Sequence, residues 1–166
     1  VGDNVEFPLI HNRKDLNEAA RAERVAEVLE QVELPGFQER AVSELSGGQR
    51  KRVGLARAIV TQPEVVLFDE PNSGLDPMTS EAIDQLIVEM KRALGITFVV
   101  ISHDIVGTVH VADHIGMLYG GKLVAYGPTA EIVASDQEIV KSFLRRNLAL
   151  PGDGRTFGLP SLESLR

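Results

Sequence analysis

The 166 residues suffice for one domain with a buried core, and 43% of them are hydrophobic, a proportion typical of a globular chain. The formal charge of -7, from 24 acidic and 17 basic side chains, argues against a nucleic-acid binder and against adhesion to anionic lipid, since both need a basic face. Without cysteine there is no disulfide scaffold and no thiolate metal site, which fits a reducing cytoplasm. No apolar run approaches the roughly 20 residues that cross a bilayer, so membrane association is expected to go through a partner. There is no signal peptide, and a chain opening on Val1 reads as a fragment or a processed product.

Residues 1–14 read as an irregular lead-in. Asp15 has the character of an N-cap with Glu18 as its capping-box partner. Ala22, Val25, Ala26, Leu29 and Val32 then follow at helical spacing, with charged side chains between them, until Leu34-Pro35-Gly36 stops the helix. A second helix is expected from Ser46 to before Pro63. Val65-Val66-Leu67-Phe68 is a short apolar run of the kind a parallel strand buried on both faces shows. Asp76-Pro77 is a cap followed by proline at the first helical position. Ile83, Leu86, Ile87, Met90 and Leu94 mark that helix's buried stripe, and Gly95 closes it. Ile96–Ile101 is expected as another buried strand, with Asp104 capping a short helix after it. Ile115–Tyr119 and Lys122–Tyr126 flank Gly120-Gly121, a two-residue hairpin signal. Two short helices, about 129–134 and 136–146, complete the pattern, and the Gly/Pro/Ser-rich stretch beyond Pro151 reads as a loose tail.

Chemistry concentrates in three places. Leu45-Ser46-Gly47-Gly48-Gln49 is first a helix start, with Ser46 capping and Gln49 completing the box. Capping leaves the two glycines unexplained, since each costs about 1 kcal/mol against alanine in a helix. Bare backbone N–H groups at the positive end of a helix let a phosphate approach closely, so plain capping and anion binding both stay open here. The second place is Asp69-Glu70, at the carboxyl end of the strand Val65–Phe68, where open parallel sheets bind ligands. Adjacent carboxylates repel, and they need a cation, a proton or divergent directions. Asp69 suits a Mg²⁺ contact through water, and Glu70 suits polarising an attacking water. The bland alternative is a solvated strand end. The third is His103, just after the strand Ile96–Ile101 and expected at the same sheet edge as Glu70, where it can donate to a phosphate oxygen. A satisfied structural histidine is the alternative. His110 and His114 stand four apart, but His-Val-Ala-Asp-His lacks the glutamate of a zinc protease motif.

Taken in order, Leu-Ser-Gly-Gly-Gln at 45–49, Val-Val-Leu-Phe-Asp-Glu-Pro at 65–71, Ser-Gly-Leu-Asp at 73–76 and Ile-Ser-His-Asp at 101–104 resemble four motifs of ABC ATPases: signature, Walker B, D-loop and H-loop. The resemblance runs to about Arg146. It implies an α/β fold, namely part of a P-loop NTPase core with a small helical subdomain. It places residues 1–46 in the helical subdomain, 47–146 in the C-terminal part of the core and 147–166 in the tail. It further implies a head-to-tail dimer that sandwiches ATP and Mg²⁺ between subunits. Ser46, Gly47 and Gly48 are then expected to contact the γ-phosphate held by a second ATPase subunit, with Gln49 supporting the turn and Asp76 bridging the subunits. Asp69 is the metal contact, Glu70 the catalytic base and His103 the γ-phosphate sensor. The implied partners are transmembrane permease subunits, with no nucleic acid and no direct membrane insertion. The implied location is cytoplasmic, peripheral on the inner face of the cell membrane.

The chain departs from the family pattern at one point: no G-x-x-x-x-G-K-S/T occurs in it. The adenine-stacking aromatic and the Q-loop glutamine, which would precede Val1, are missing too. These residues carry one half-site for a partner's nucleotide and the hydrolytic half of their own, and the 166-residue chain alone is expected to be inactive. The stretch Ser46–Ile59, the opening Val1–Leu9 and the run Val100–Ala112 look like the ATPases of bacterial Mce/Mla-type lipid transport systems. Small-solute importers, lipoprotein exporters and soluble ABC proteins of repair or translation share the four core motifs. The apolar residues of the tail, among them Leu148, Leu150, Phe157, Leu159, Leu162 and Leu165, suggest docking across the dimer as an alternative to a disordered end.

Overall fold

Pro8 stands inside a helix where the sequence suggested irregular backbone: α1 runs Gly2–Asn12. An interior proline costs about 3 kcal/mol. Val5 and Leu9, one turn apart, are both 0% exposed, and burying two such side chains contributes about 1.5–3 kcal/mol each, enough to carry the helix across Pro8. The N-terminal amine donates to Arg40 O at 2.7 Å and Gly2 N–H to Gln38 O at 2.8 Å, fixing the start of α1.

The computed structural model describes residues 1–147, in two compact units, Val1–Ile101 and Ser102 onward. The tail reading lies outside the described residues.

In the first unit α2 spans Glu18–Gln31, capped by Asn17, whose side chain accepts from Ala20 N–H. The expected cap Asp15 is instead paired with Arg13 at 2.8 Å, an ion pair two residues apart that competes with capping. The buried stripe is Val25, Val28 and Leu29, continued by Val32. Ala22 and Ala26 face out because the buried stripe of α2, which packs on α1 and α3, is centred on Val28–Leu29. The helix α3, Gly47–Ile59, begins where predicted. Arg24 of α2 reaches its far end, donating from Nε to Val60 O at 3.0 Å, a cation at the negative end of the helix.

The strand β1 (Val65–Asp69) pairs in parallel with β2 (Thr97–Ile101), register Val65↔Thr97 through Asp69↔Ile101. Between them α4 (Pro77–Leu94) is capped by Asp76 and closed by Gly95 in the left-handed region at φ 64°. Its buried side chains include the predicted Ile83, Leu86, Ile87 and Met90. One sheet face, through Val66, Phe68 and Phe98, joins the core that α1–α4 share. The expectation of strands buried on both faces is not met. Val65 is 52%, Leu67 75%, Val99 49% and Ile101 62% exposed, and all lie on the opposite face. Among the described residues the helices cover one side of this two-stranded sheet only.

In the second unit, Asp104 caps α5 (Ile105–Val111) by accepting from Gly107 N–H at 3.1 Å. The hairpin β3 (His114–Tyr119) and β4 (Lys122–Pro128) turns at Gly120 and Gly121, φ 55° and 75°, two consecutive positive values that only glycine adopts without strain. The helices α6 (Thr129–Val133) and α7 (Glu138–Asn147) follow as expected. Val109, Met117, Ile132, Val140 and Leu144 form this unit's own core.

Candidate functional site

The signature turn is built as a capping box. Ser46 Oγ accepts from Gln49 N–H at 3.2 Å, and Gln49 Oε1 accepts from Ser46 N–H at 3.0 Å. The box uses two of the four N–H groups that helix geometry leaves without an intrahelical carbonyl, those of Ser46 and Gln49, and the other two belong to Gly47 and Gly48. An open depression of about 340 Å³ lies at this turn, lined by Ser46, Gly48, Gln49, Glu33, Arg52 and Thr79. Arg52 is held there by Val32 O at 3.2 Å and by an ion pair to Glu33.

Gly48 has a packing reason that capping could not supply. A Cβ on Gly48 would stand 2.6 Å from Thr79 Cγ2, and one on Gly47 3.1 Å from Leu75 Cδ2. The start of α3 is therefore pressed against the start of α4. Thr79 has little freedom to retreat, because its Oγ1 donates to Asp76 Oδ2 at 2.5 Å and its N–H to Asp76 Oδ1 at 3.1 Å. Those bonds from Thr79 hold the Asp76 carboxyl below the usual carboxylate range. Gly48→Ala is accordingly expected to lose about 1–3 kcal/mol, the scale of an overpacked contact, read as a lower thermal midpoint. An unchanged midpoint would show that Thr79 yields freely.

Beyond β1 the alternation of strand side chains stops. Asp69 is exposed at the strand's last position, and Glu70 takes a left-handed conformation, φ 50°. That region costs a non-glycine residue about 1–3 kcal/mol and persists only where neighbours impose it. Here Glu70 N–H donates to Ile101 O at 2.8 Å. Its carbonyl accepts from Ser73 N–H at 3.2 Å and from Lys51 Nζ at 3.1 Å. Lys51 Nζ also donates to Ser73 Oγ at 3.3 Å, so α3 reaches the turn that carries Glu70. In the same turn Asn72 donates to buried Asp84 of α4 at 2.7 Å.

Ser46, Gly47, Gly48, Gln49, Asp69, Glu70 and Asp76 thus all belong to the first unit. His103 is exposed and lies in the second, one residue before the cap Asp104. His114 stacks on Tyr126 with centroids 5.9 Å apart, and among the described residues no three His, Cys, Asp or Glu side chains cluster for a metal. Two contributors escaped the sequence reading. Thr79 had a signal, a hydroxyl three residues after a capping Asp. Lys51 had none, being one of three consecutive basic residues after Gln49.

The ABC transporter family profile matches residues 1–73. The chain is 39% identical over 142 residues to the probable ribonucleotide transport ATP-binding protein mkl of Mycobacterium leprae, covering 86% of this chain and 41% of that protein. It is 41% identical over 140 residues to the methionine import ATP-binding protein MetN of Xanthomonas campestris pv. campestris, covering 82% and 40%. The solved structure of cbiO1 from Clostridium perfringens, part of the ABC transporter complex cbiONQ, superposes with a TM-score of 0.72. There the identity is 33%, over 86% of this chain and 55% of that one. The chain therefore spans about two fifths of the length of the curated relatives it matches.

Proposed function

We propose that this chain, which belongs to the ABC transporter family of ATP-binding domains, supplies the signature half-site and the hydrolytic half-site of an ATPase that drives transport across a membrane. One observation carries the reading: a single folded unit holds the Ser46 turn against Asp76 through Gly48 and Thr79, and holds Glu70 in a left-handed conformation at the end of β1. Two carboxylates at a strand end are hard oxygen donors, the kind Mg²⁺ selects, and a single protein carboxylate beside nucleotide phosphates matches its usual environment. Asp69 is the residue to hold it, and the cation would neutralise charge on the phosphates.

Glu70 accepts the proton of the attacking water, which a carboxylate outside the strand ladder can approach. Ser46, Gly47 and Gly48 present hydroxyl and backbone N–H donors at the positive end of α3 to a γ-phosphate held by a second subunit. That arrangement calls for a head-to-tail dimer with Asp76 at the subunit boundary. His103 serves as the γ-phosphate sensor. No described helix is long and apolar enough to cross a membrane, so the proposed position is peripheral, on permease subunits. For the cargo we propose lipid, on the likeness of Ser46–Ile59, Val1–Leu9 and Val100–Ala112 to Mce/Mla-type ATPases.

The sequence contains no phosphate-cradling G-x-x-x-x-G-K-S/T. The 166-residue chain alone is therefore expected to show no stoichiometric micromolar ATP binding by calorimetry, while the full-length protein that carries it binds and hydrolyses ATP. Tight binding by the 166-residue chain would overturn the division into half-sites.

A further inference from the structure

We infer that Lys51 is a positioning residue for hydrolysis: it ties the signature helix to the backbone of Glu70 and holds the catalytic carboxylate in place. The inference rests on the reading of Glu70 as the base. Lys51 lies one turn into α3, after the residues that face the partner's nucleotide, and is half-buried. Its Nζ donates to Glu70 O at 3.1 Å and to Ser73 Oγ at 3.3 Å. Both acceptors belong to the turn after β1, in which Ser73 N–H closes back on Glu70 O at 3.2 Å.

Glu70 is where such a tie matters. At φ 50° its backbone sits in a region that a glutamate leaves unless held. Ile101 O fixes its N–H from β2, while Lys51 and Ser73 fix its carbonyl. Removing the ammonium takes away a bond that comes from α3. The peptide can then relax toward ordinary strand or helical angles, which swings the carboxylate about its own Cα. Hydrolysis is sensitive to displacements of about 1 Å, whereas nucleotide affinity, set by phosphate and base contacts elsewhere, is not. The same bond also gives the half-site that reads a partner's nucleotide a direct mechanical connection to the hydrolytic half-site on the same chain.

The test uses the full-length protein with ATP and Mg²⁺. Lys51→Met keeps the aliphatic stem and removes the donor. It is expected to lower kcat about tenfold, with KM for ATP within about twofold and an unchanged thermal midpoint. Lys51→Arg, which restores N–H donors at the same place, is expected to recover most of the loss. Combined with Glu70→Gln, Lys51→Met is expected to add almost nothing, because it acts through the missing carboxylate. A wild-type kcat in Lys51→Met, or a loss that multiplies undiminished onto Glu70→Gln, would overturn the inference and leave Glu70 as the base. Near-wild-type turnover in Glu70→Gln alone would instead remove the base reading, and the inference with it.

Discussion

Replacing Glu70 by Gln is expected to cut ATP hydrolysis by the full-length protein roughly 10²-fold or more, the scale of a lost general base, with ATP binding retained. The amide keeps the shape of the carboxylate and cannot take a proton from water. The backbone hydrogen bonds at residue 70 do not depend on the carboxylate's charge. Ile101, Ser73 and Lys51 bond the N–H and carbonyl of residue 70 in its left-handed conformation, and a side-chain exchange leaves these backbone bonds in place. Glu and Gln meet the same steric cost at φ 50°. Phosphate release would therefore fall while nucleotide retention stays, and the ATP-bound dimer would accumulate in sedimentation. Near-normal phosphate release in the variant would show that another group is the base.

What could be read from the sequence was what depends on local chemistry. Ser46 and Gln49, Asp76 with Pro77, Asp104, Gly95 and the Gly120-Gly121 turn each announce a cap or a turn whose hydrogen bonds close within a few residues, and the structure has them all. Elements that depend on distant packing were legible only in part. α1 forms across Pro8 because Val5 and Leu9 find a surface on α2 and α3, which no local pattern of residues 1–12 reveals. Val65–Phe68 looks doubly buried because every residue in it is apolar, yet the helices that cover β1 lie on one side.

The site divides the same way. The candidate motif residues are read from their type and order. The reason that Gly48 lacks a side chain lies in Thr79, 31 positions on, and the hold on Glu70 comes from Lys51, 19 positions back. Contacts at such separations leave no periodic trace in a single sequence. That is why the glycines were read through phosphate approach alone, when packing of α3 on α4 requires Gly48 as well. The two demands are compatible, since a helix start with no side chain can be both tightly packed on one flank and open on the other.

The second large effect is expected from Ser46→Arg: hydrolysis lost at both sites of a homodimer, with ATP still able to bind each subunit. The stability cost is bounded. Losing the cap costs about 1 kcal/mol, and a cation at the positive helix end adds about 0.3–1 kcal/mol, against a typical total of about 5–15 kcal/mol. The functional cost is steric. A phosphate oxygen must come within about 3 Å of the N–H groups at the start of α3. A guanidinium on the cap residue fills the open depression beside Gly48 and Gln49, where Arg52 already stands. Its charge attracts the phosphate, but in the site it enters it keeps the oxygen away from the backbone donors. Ser46→Ala separates the two costs, since it loses the same cap and leaves the space open; it is expected to retain far more activity than Ser46→Arg. Mixed dimers then test whether the turn acts on the partner's nucleotide. A Ser46→Arg subunit keeps Glu70, and a Glu70→Gln subunit keeps Ser46, so one of the two sites in the mixture has every group intact. Phosphate release by the mixed dimer is expected to exceed that of either homodimer severalfold, and activity no higher than theirs would mean that Ser46 does not serve its partner's site.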